Sequence, residues 1–192
     1  MSVKLYDALK ASYGDKQANG KLSQAGYKYD SMLSNHNQQV WFNPNDKKLL
    51  YNVAGTHNLS DWGTDAYLLA GKLKDTNRYK EADNILQQAK QKYNPANTTI
   101  TGHSLGSTIA NQIASKGAGD QVYALDGGFT FGQNISNNKN FHNYRTGGDL
   151  VSLLSQSKTN VNNMTTLANK NWFKDPLTAH NVENIRNENI FV

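Results

Sequence analysis

The sequence predicts an α/β fold with a mostly parallel central sheet, helices on both faces and an antiparallel hairpin near its N-terminal side. Three observations predict it. Two β-rich runs flank an early turn signal, and helical and strand-like segments then alternate along the chain. A strand-to-helix junction in the middle of that alternation carries Gly102-His103-Ser104-Leu105-Gly106.

The elements follow in order. In VKLYDALKAS, residues Val3, Leu5, Tyr6 and Leu9 recur at near-helical spacing. A second helix is expected over 18–33, with Gly20 and Gly26 weakening it. QQVWFN and KKLLYNVAG flank Pro44-Asn45-Asp46 and read as a hairpin. RYKEADNILQQAKQKY places Tyr79, Ala82, Ile85, Leu86, Ala89 and Tyr93 on one face of a helix that Asn94-Pro95 ends. TTIT is short, β-branched and strand-like. Leu105, Ile109, Ile113 and Ala114 mark a helix over 105–116, with Gly117 as its C-terminal cap. QVYAL is the next strand, NFHNYR a weaker one, and a final helix is expected over 181–187.

At 192 residues the chain suits one domain, 1–192, with room for a real core. Mean hydropathy is −0.72. Only 18% of residues are charged, so the polar excess is not that of a disordered chain. The absence of cysteine excludes disulfides, thiolate metal sites and a cysteine nucleophile. A net charge of +5 fits a lysine-rich solvated surface or an anionic lipid surface. No basic run exceeds Lys47-Lys48 and no aromatic-basic pattern occurs, so no nucleic-acid partner is expected. No secretory apolar region opens the chain and no apolar run reaches membrane-spanning length, so a soluble protein is expected.

Gly102–Gly106 fits G-x-S-x-G, a nucleophile elbow, in which a serine sits on a tight strand-to-helix turn. Chance alone would give roughly 0.06 such patterns in a chain this long, so context has to decide. The context fits, because active sites in such sheets lie at the carboxyl ends of the strands. A serine hydroxyl needs a base, usually a histidine held by a carboxylate, in the chain order Ser, acid, His. Only His142 and His180 follow Ser104, and the acids include Asp120, Asp126, Asp149 and Asp175. Asp126 ends the first strand after the elbow, and Asp149 lies just beyond the second. Doubly wound hydrolases of this type are expected to carry the acid after the second strand, which favours Asp149 and leaves His180 as the base. Gly147 and Gly148 could turn that carboxylate inward. Each residue also has a plainer reading: Asp149 capping the run LVSLLS, His180 in a loop before a helix. His142 and His103 are expected to pack rather than react, and His36 and His57 take no role.

Acyl transfer also needs two donors for the oxyanion. One is the backbone N–H of Leu105; the other is expected from the loop after an early strand, where Gly55 permits a tight turn and Thr56 offers an N–H and a hydroxyl.

Together AGTHNLSDWGTD, ITGHSLGSTIA, YRTGGDLVS and AHNVENI resemble the class 3 lipase family, the fungal-lipase-like branch of the α/β-hydrolases, over about residues 40–185. The G-T-x-x-x-x-D-W block is more specific than the elbow. The resemblance implies an α/β-hydrolase-like fold, with Thr56 at the oxyanion hole, Ser104 as nucleophile, Asp149 as acid and His180 as base. It implies a lipase, phospholipase or esterase that cleaves carboxylic esters through an acyl-enzyme, with no metal or organic cofactor. Ser107 stands where the family usually has a second glycine, and Val53-Ala54 where it often has Phe-Arg. The stretch NLSDWGTDAYLLAGKL reads either as a lid over an acyl pocket or as a core-facing helix. The rival reading is a catalytically silent hydrolase-fold protein with a structural or binding role, for example in a virion.

Overall fold

Short β-branched and aromatic runs separated by turns build the sheet. The computed structural model describes residues 2–56, 72–114, 120–127, 139–149, 164–167 and 176–192. Among these, β1 (Lys28–Tyr29), β2 (Gln38–Asn43), β3 (Lys48–Val53), β4 (Asn97–His103), β5 (Gln121–Leu125), β6 (Phe141–Thr146) and β7 (Met164–Leu167) form one sheet in sequential order. The first three strands pair antiparallel, with Trp41 opposite Leu50 in the expected hairpin. From β3 to β7 every neighbour is parallel, so the carboxyl ends of four consecutive strands after the hairpin share one edge. The α/β-hydrolase-like fold expected from the sequence is the fold observed.

Strand alternation sends neighbouring side chains to opposite faces. Leu49, Tyr51 and Val53 of β3 meet Ile100, Val122 and Ala124 in one core. Leu50 and Trp41 point the other way, into a second core with Ala8, Ala11 and Leu22. The first core is covered by α3 (Asn77–Tyr93) and α4 (Leu105–Ala114). Thr76 caps α3 by accepting from Tyr79 N–H at 3.2 Å, and Asn94 ends it in the left-handed region. The second face is covered by α1 (Leu5–Ser12) and α2 (Lys16–Gln24). A third apolar cluster joins Leu5 and Leu9 of α1 to Leu125, Val182 and Ile185. The two ends of the chain run side by side there, with Leu5 N–H donating to Ile190 C=O and Val192 N–H to Val3 C=O, both at 2.9 Å.

Two expected helices are corrected. In place of a helix over 18–33, α2 begins at Lys16, where Asp15 Oδ1 accepts from Ala18 N–H at 2.9 Å, and stops at Gln24. Gly26, at φ +92, turns the chain, and Asn43 Nδ2 donates to the Ala25 carbonyl at 3.3 Å, so the segment enters β1. In place of a helix over 181–187, α5 (Pro176–Ala179) precedes a 3-10 turn, Val182–Ile185. Asn181 is extended between them and accepts from Glu183 N–H at 3.0 Å, which separates the two short pieces. Strand β7 was not anticipated: only Leu167 of its four residues is buried, so no apolar run marks it. Gly117 and most of the stretch read as a lid or core helix lie outside the described residues. Among the described residues no helix is long and apolar enough to cross a membrane.

Candidate active site

The carboxyl ends of β3 to β6 gather the residues singled out in the sequence. Ser104 occupies the turn between β4 and α4 at φ +59, a left-handed conformation that costs a non-glycine residue on the order of 1–3 kcal/mol. The turn is held from both sides. Ser104 N–H donates to the Leu125 carbonyl at 2.9 Å, and the Ser104 carbonyl accepts from Ser107 N–H and Oγ, each at 3.0 Å. A Cβ on Gly102 would lie 2.4 Å from the Gly106 carbonyl oxygen, and one on Gly106 would lie 2.2 Å from that of Val53. The flanking glycines are therefore demanded by backbone contact. Ser104 is 1% exposed, and its Oγ makes no hydrogen bond to the described residues.

Beside this turn lies a buried histidine–carboxylate pair. His180 Nδ1 sits 2.9 Å from Asp149 Oδ1, with 2% and 0% of the two residues exposed. Asp149 is delivered by the turn after β6, where Gly148 adopts φ +84 and Asp149 N–H donates to the Thr146 carbonyl at 3.1 Å. The rings of His180 and His103 are 5.0 Å apart, so His180 stands next to the residue preceding Ser104. His103 is fully buried; burial, with His180 adding to it, pushes its pKa down to about 3. It is a neutral packing residue, as the sequence reading expected.

Asp126 joins the same cluster. It ends β5 at φ +51 and accepts from Thr146 N–H at 2.5 Å and Thr146 Oγ1 at 2.8 Å. A carboxylate oxygen of Asp126 and one ring nitrogen each of His103 and His180 lie within 4.8 Å of one another. Burial, reinforced by the nearby Asp149 carboxylate, pushes Asp126 up to about 7. Among the described residues this trio is the one grouping with metal-ligand atoms, and Tyr13, Thr146 and Asp149 already engage its members. Asp120 is at the other end of β5, paired with Lys90 at 2.6 Å, and so is remote from Ser104. His142 lies on β6, stacked on Tyr123 with ring centres 4.6 Å apart. Asp175 and His57 lie outside the described residues.

The loop after β3 presses directly on the elbow. A Cβ on Gly55 would meet the His103 carbonyl oxygen at 2.9 Å and Ser104 Cβ at 3.0 Å, so Gly55, the residue before Thr56, packs against the elbow. Thr56 Oγ1 is buried without a hydrogen bond to the described residues. Two side chains that the sequence reading did not find hold this loop. Tyr13, at the end of α1, accepts from Gly55 N–H at 2.9 Å and pairs with His103 Nδ1 at 2.7 Å. Burial pushes the phenol up to about 12, so it stays protonated. Arg78 of α3 donates to the Ala54 carbonyl at 2.7 Å and also to Asn37 Oδ1. Neither residue has a local sequence signal, since the partners lie 24 to 90 positions away.

Chemically, the cluster offers a hydroxyl on a strained turn, a carboxylate-held imidazole, and the start of a helix. The N-terminal end of a helix favours negative charge.

Residues 35–163 match the model of the family described as lipase (class 3). No curated protein matches the chain. Several solved structures share its fold. A Rhizomucor miehei lipase in complex with its propeptide aligns with a TM-score of 0.53 at 16% identity, over 78% of this chain and 61% of that one. A triacylglycerol lipase, described as having a serine protease triad as its catalytic centre, gives 0.56 at 14%, over 80% and 73%. A mutant MDLA from Penicillium cyclopium gives 0.55 at 15%, over 87% and 77%. The chain thus spans less than two thirds of the Rhizomucor lipase.

Proposed function

The chain belongs to the class 3 lipase family, and from that premise we propose that it is a serine hydrolase cleaving carboxylic esters of lipids through an acyl-enzyme. The observation that carries the reading is the left-handed Ser104 beside a buried Asp149–His180 pair at 2.9 Å. Asp149 accepts the Nδ1 proton of His180, which leaves Nε2 as the base. His180 takes the Ser104 proton as Oγ attacks the ester carbonyl, and returns it to the leaving alcohol. The oxyanion is received by the N–H of Leu105 and by Thr56, which follows the Gly55 that packs against the elbow. Water then attacks the acyl-enzyme by the same relay.

Turnover of p-nitrophenyl esters by the wild type and by Ser104→Ala tests the proposal. Loss of a triad serine costs on the order of a million-fold in kcat. Equal rates would sink the proposal, and failure of the folded protein to label with a fluorophosphonate would favour a silent, structural role. A panel running from short-chain esters through triacylglycerols to anionic phospholipid vesicles separates esterase, lipase and phospholipase. The net charge of +5 supports faster turnover on the anionic surface.

A further inference from the structure

The relay from Ser104 through His180 to Asp149 leaves one buried carboxylate unused. Asp126 is 0% exposed, held in a left-handed conformation at the end of β5, and anchored by two hydrogen bonds from Thr146. The titratable groups facing it are His103 from β4, Asp149 from the turn after β6, and His180 from the segment after α5. The His180 ring therefore has one carboxylate hydrogen-bonded at Nδ1 and a second within 4.8 Å of a ring nitrogen. Thr146 holds both carboxylate oxygens, and one of them lies within 4.8 Å of a ring nitrogen of each histidine.

We propose that Asp126 is a second positioning carboxylate for His180, supporting the imidazolium formed during acylation and serving as a reserve acceptor for the ring when Asp149 is lost. The inference rests on the reading of Ser104, His180 and Asp149 as the triad. The reasoning is electrostatic. At a site this buried, a carboxylate a few ångströms from a ring that becomes cationic favours that cation strongly. Ionised Asp126 gives that support and neutral Asp126 does not. With its pKa pushed up to about 7 by burial and by Asp149, the carboxyl is neutral in mild acid and charged in mild base. Its contribution to turnover therefore grows as pH rises through neutrality.

Asp126→Asn is the test variant, because an amide can still accept from Thr146 N–H and donate to Thr146 Oγ1. The assay is kcat/KM against pH for the wild type, Asp126→Asn, Asp149→Asn and the double variant. The wild-type to Asp126→Asn ratio is expected to rise about ten-fold between pH 6 and pH 8, in kcat rather than KM. The double variant should fall at least about ten-fold below Asp149→Asn alone. Parallel pH profiles, together with a double variant no worse than Asp149→Asn, overturn the proposal. If Asp126→Asn does not fold, Thr146→Val replaces it. Losing one donor to the carboxylate should move the inflection to higher pH, and an unmoved inflection is equally fatal. A fully active Ser104→Ala would instead overturn the triad itself, so the two failures are distinct.

Discussion

Gly106 is where the elbow helix and the end of β3 touch, and Gly106→Ala converts that contact into a measurable strain. A Cβ there would lie 2.2 Å from the Val53 carbonyl oxygen, 2.6 Å from that of Ala54 and 2.8 Å from the Ala54 carbonyl carbon. Ordinary contact lies near 3.5 Å, so the first turn of α4 must retreat by roughly 1 Å. All three atoms are backbone, and Arg78 pins the Ala54 carbonyl at 2.7 Å, so no side chain can yield in their place. Overpacking of this kind costs about 1–3 kcal/mol. The same retreat displaces the helix start that follows Ser104, and on the proposed mechanism a 1 Å misplacement costs on the order of 100-fold in turnover. Gly20→Ala is the matched control. Gly20 is exposed within α2, with nothing within 4 Å of the added methyl, so alanine should stabilise by roughly 0.5–1 kcal/mol and leave turnover alone. Urea unfolding and ester turnover on both variants decide the matter. A Gly106→Ala protein with wild-type stability and kcat would refute the contact argument.

Two further perturbations probe the supports of the site and of the fold. Tyr13→Phe removes the acceptor of Gly55 N–H and the hydrogen-bond partner of His103 Nδ1, which should cost roughly 1–3 kcal/mol and lower kcat with little change in KM. Since the phenol stays protonated up to about pH 12, the deficit should be flat from pH 6 to 9; a pH-dependent deficit would show another group at work. Asp30 binds Lys92 at 2.6 Å, Tyr93 at 2.7 Å and the N–H groups of Met32 and Leu33. Burial alone would raise its pKa, but these four donors outweigh it and hold the carboxyl below its ordinary value. Its stabilisation is therefore present above the ordinary aspartate pKa, near 3.9, and fades as pH falls through the lower folded value. Asp30→Ala should destabilise by about 1–3 kcal/mol at pH 7 and by less in strong acid; a constant difference would contradict this.

The parts of the protein legible in the sequence are those where one local constraint decides. Gly102 and Gly106 are readable because the turn at Ser104 admits no Cβ at either position. The face of α3 is readable because Tyr79, Ala82, Leu86 and Ala89 fall at helical spacing and are buried together. The order Ser, Asp, His puts Ser104, Asp149 and His180 forward as candidates, and the structure brings Asp149 and His180 to 2.9 Å beside the elbow. What was not legible depends on contacts made across the chain. The stop at Gln24 depends on Gly26 and on Asn43, 18 residues after the carbonyl it holds. Tyr13 and Arg78 look like ordinary helix residues until folding sets them against Gly55 and Ala54. Asp126 could be recognised as a candidate acid, but its closeness to both His103 and His180 is a property of the assembled sheet edge.

The pairing of the chain's two ends has a consequence for how the site comes into being. Tyr6 of α1 bonds to Glu183, 177 positions later, and Lys4 reaches Asn189 across 185. Glu183 lies three residues from His180, while α1 also supplies the tyrosine that steadies the Gly55 loop. Bracing for the segment that carries His180 and bracing for the Gly55 loop thus depend on one helix docking against residues 182–189. Such non-local closure comes late and slowly in folding. His180 follows Ser104 by 76 residues, so the β4–α4 turn can fold before the Asp149–His180 pair is set beside it.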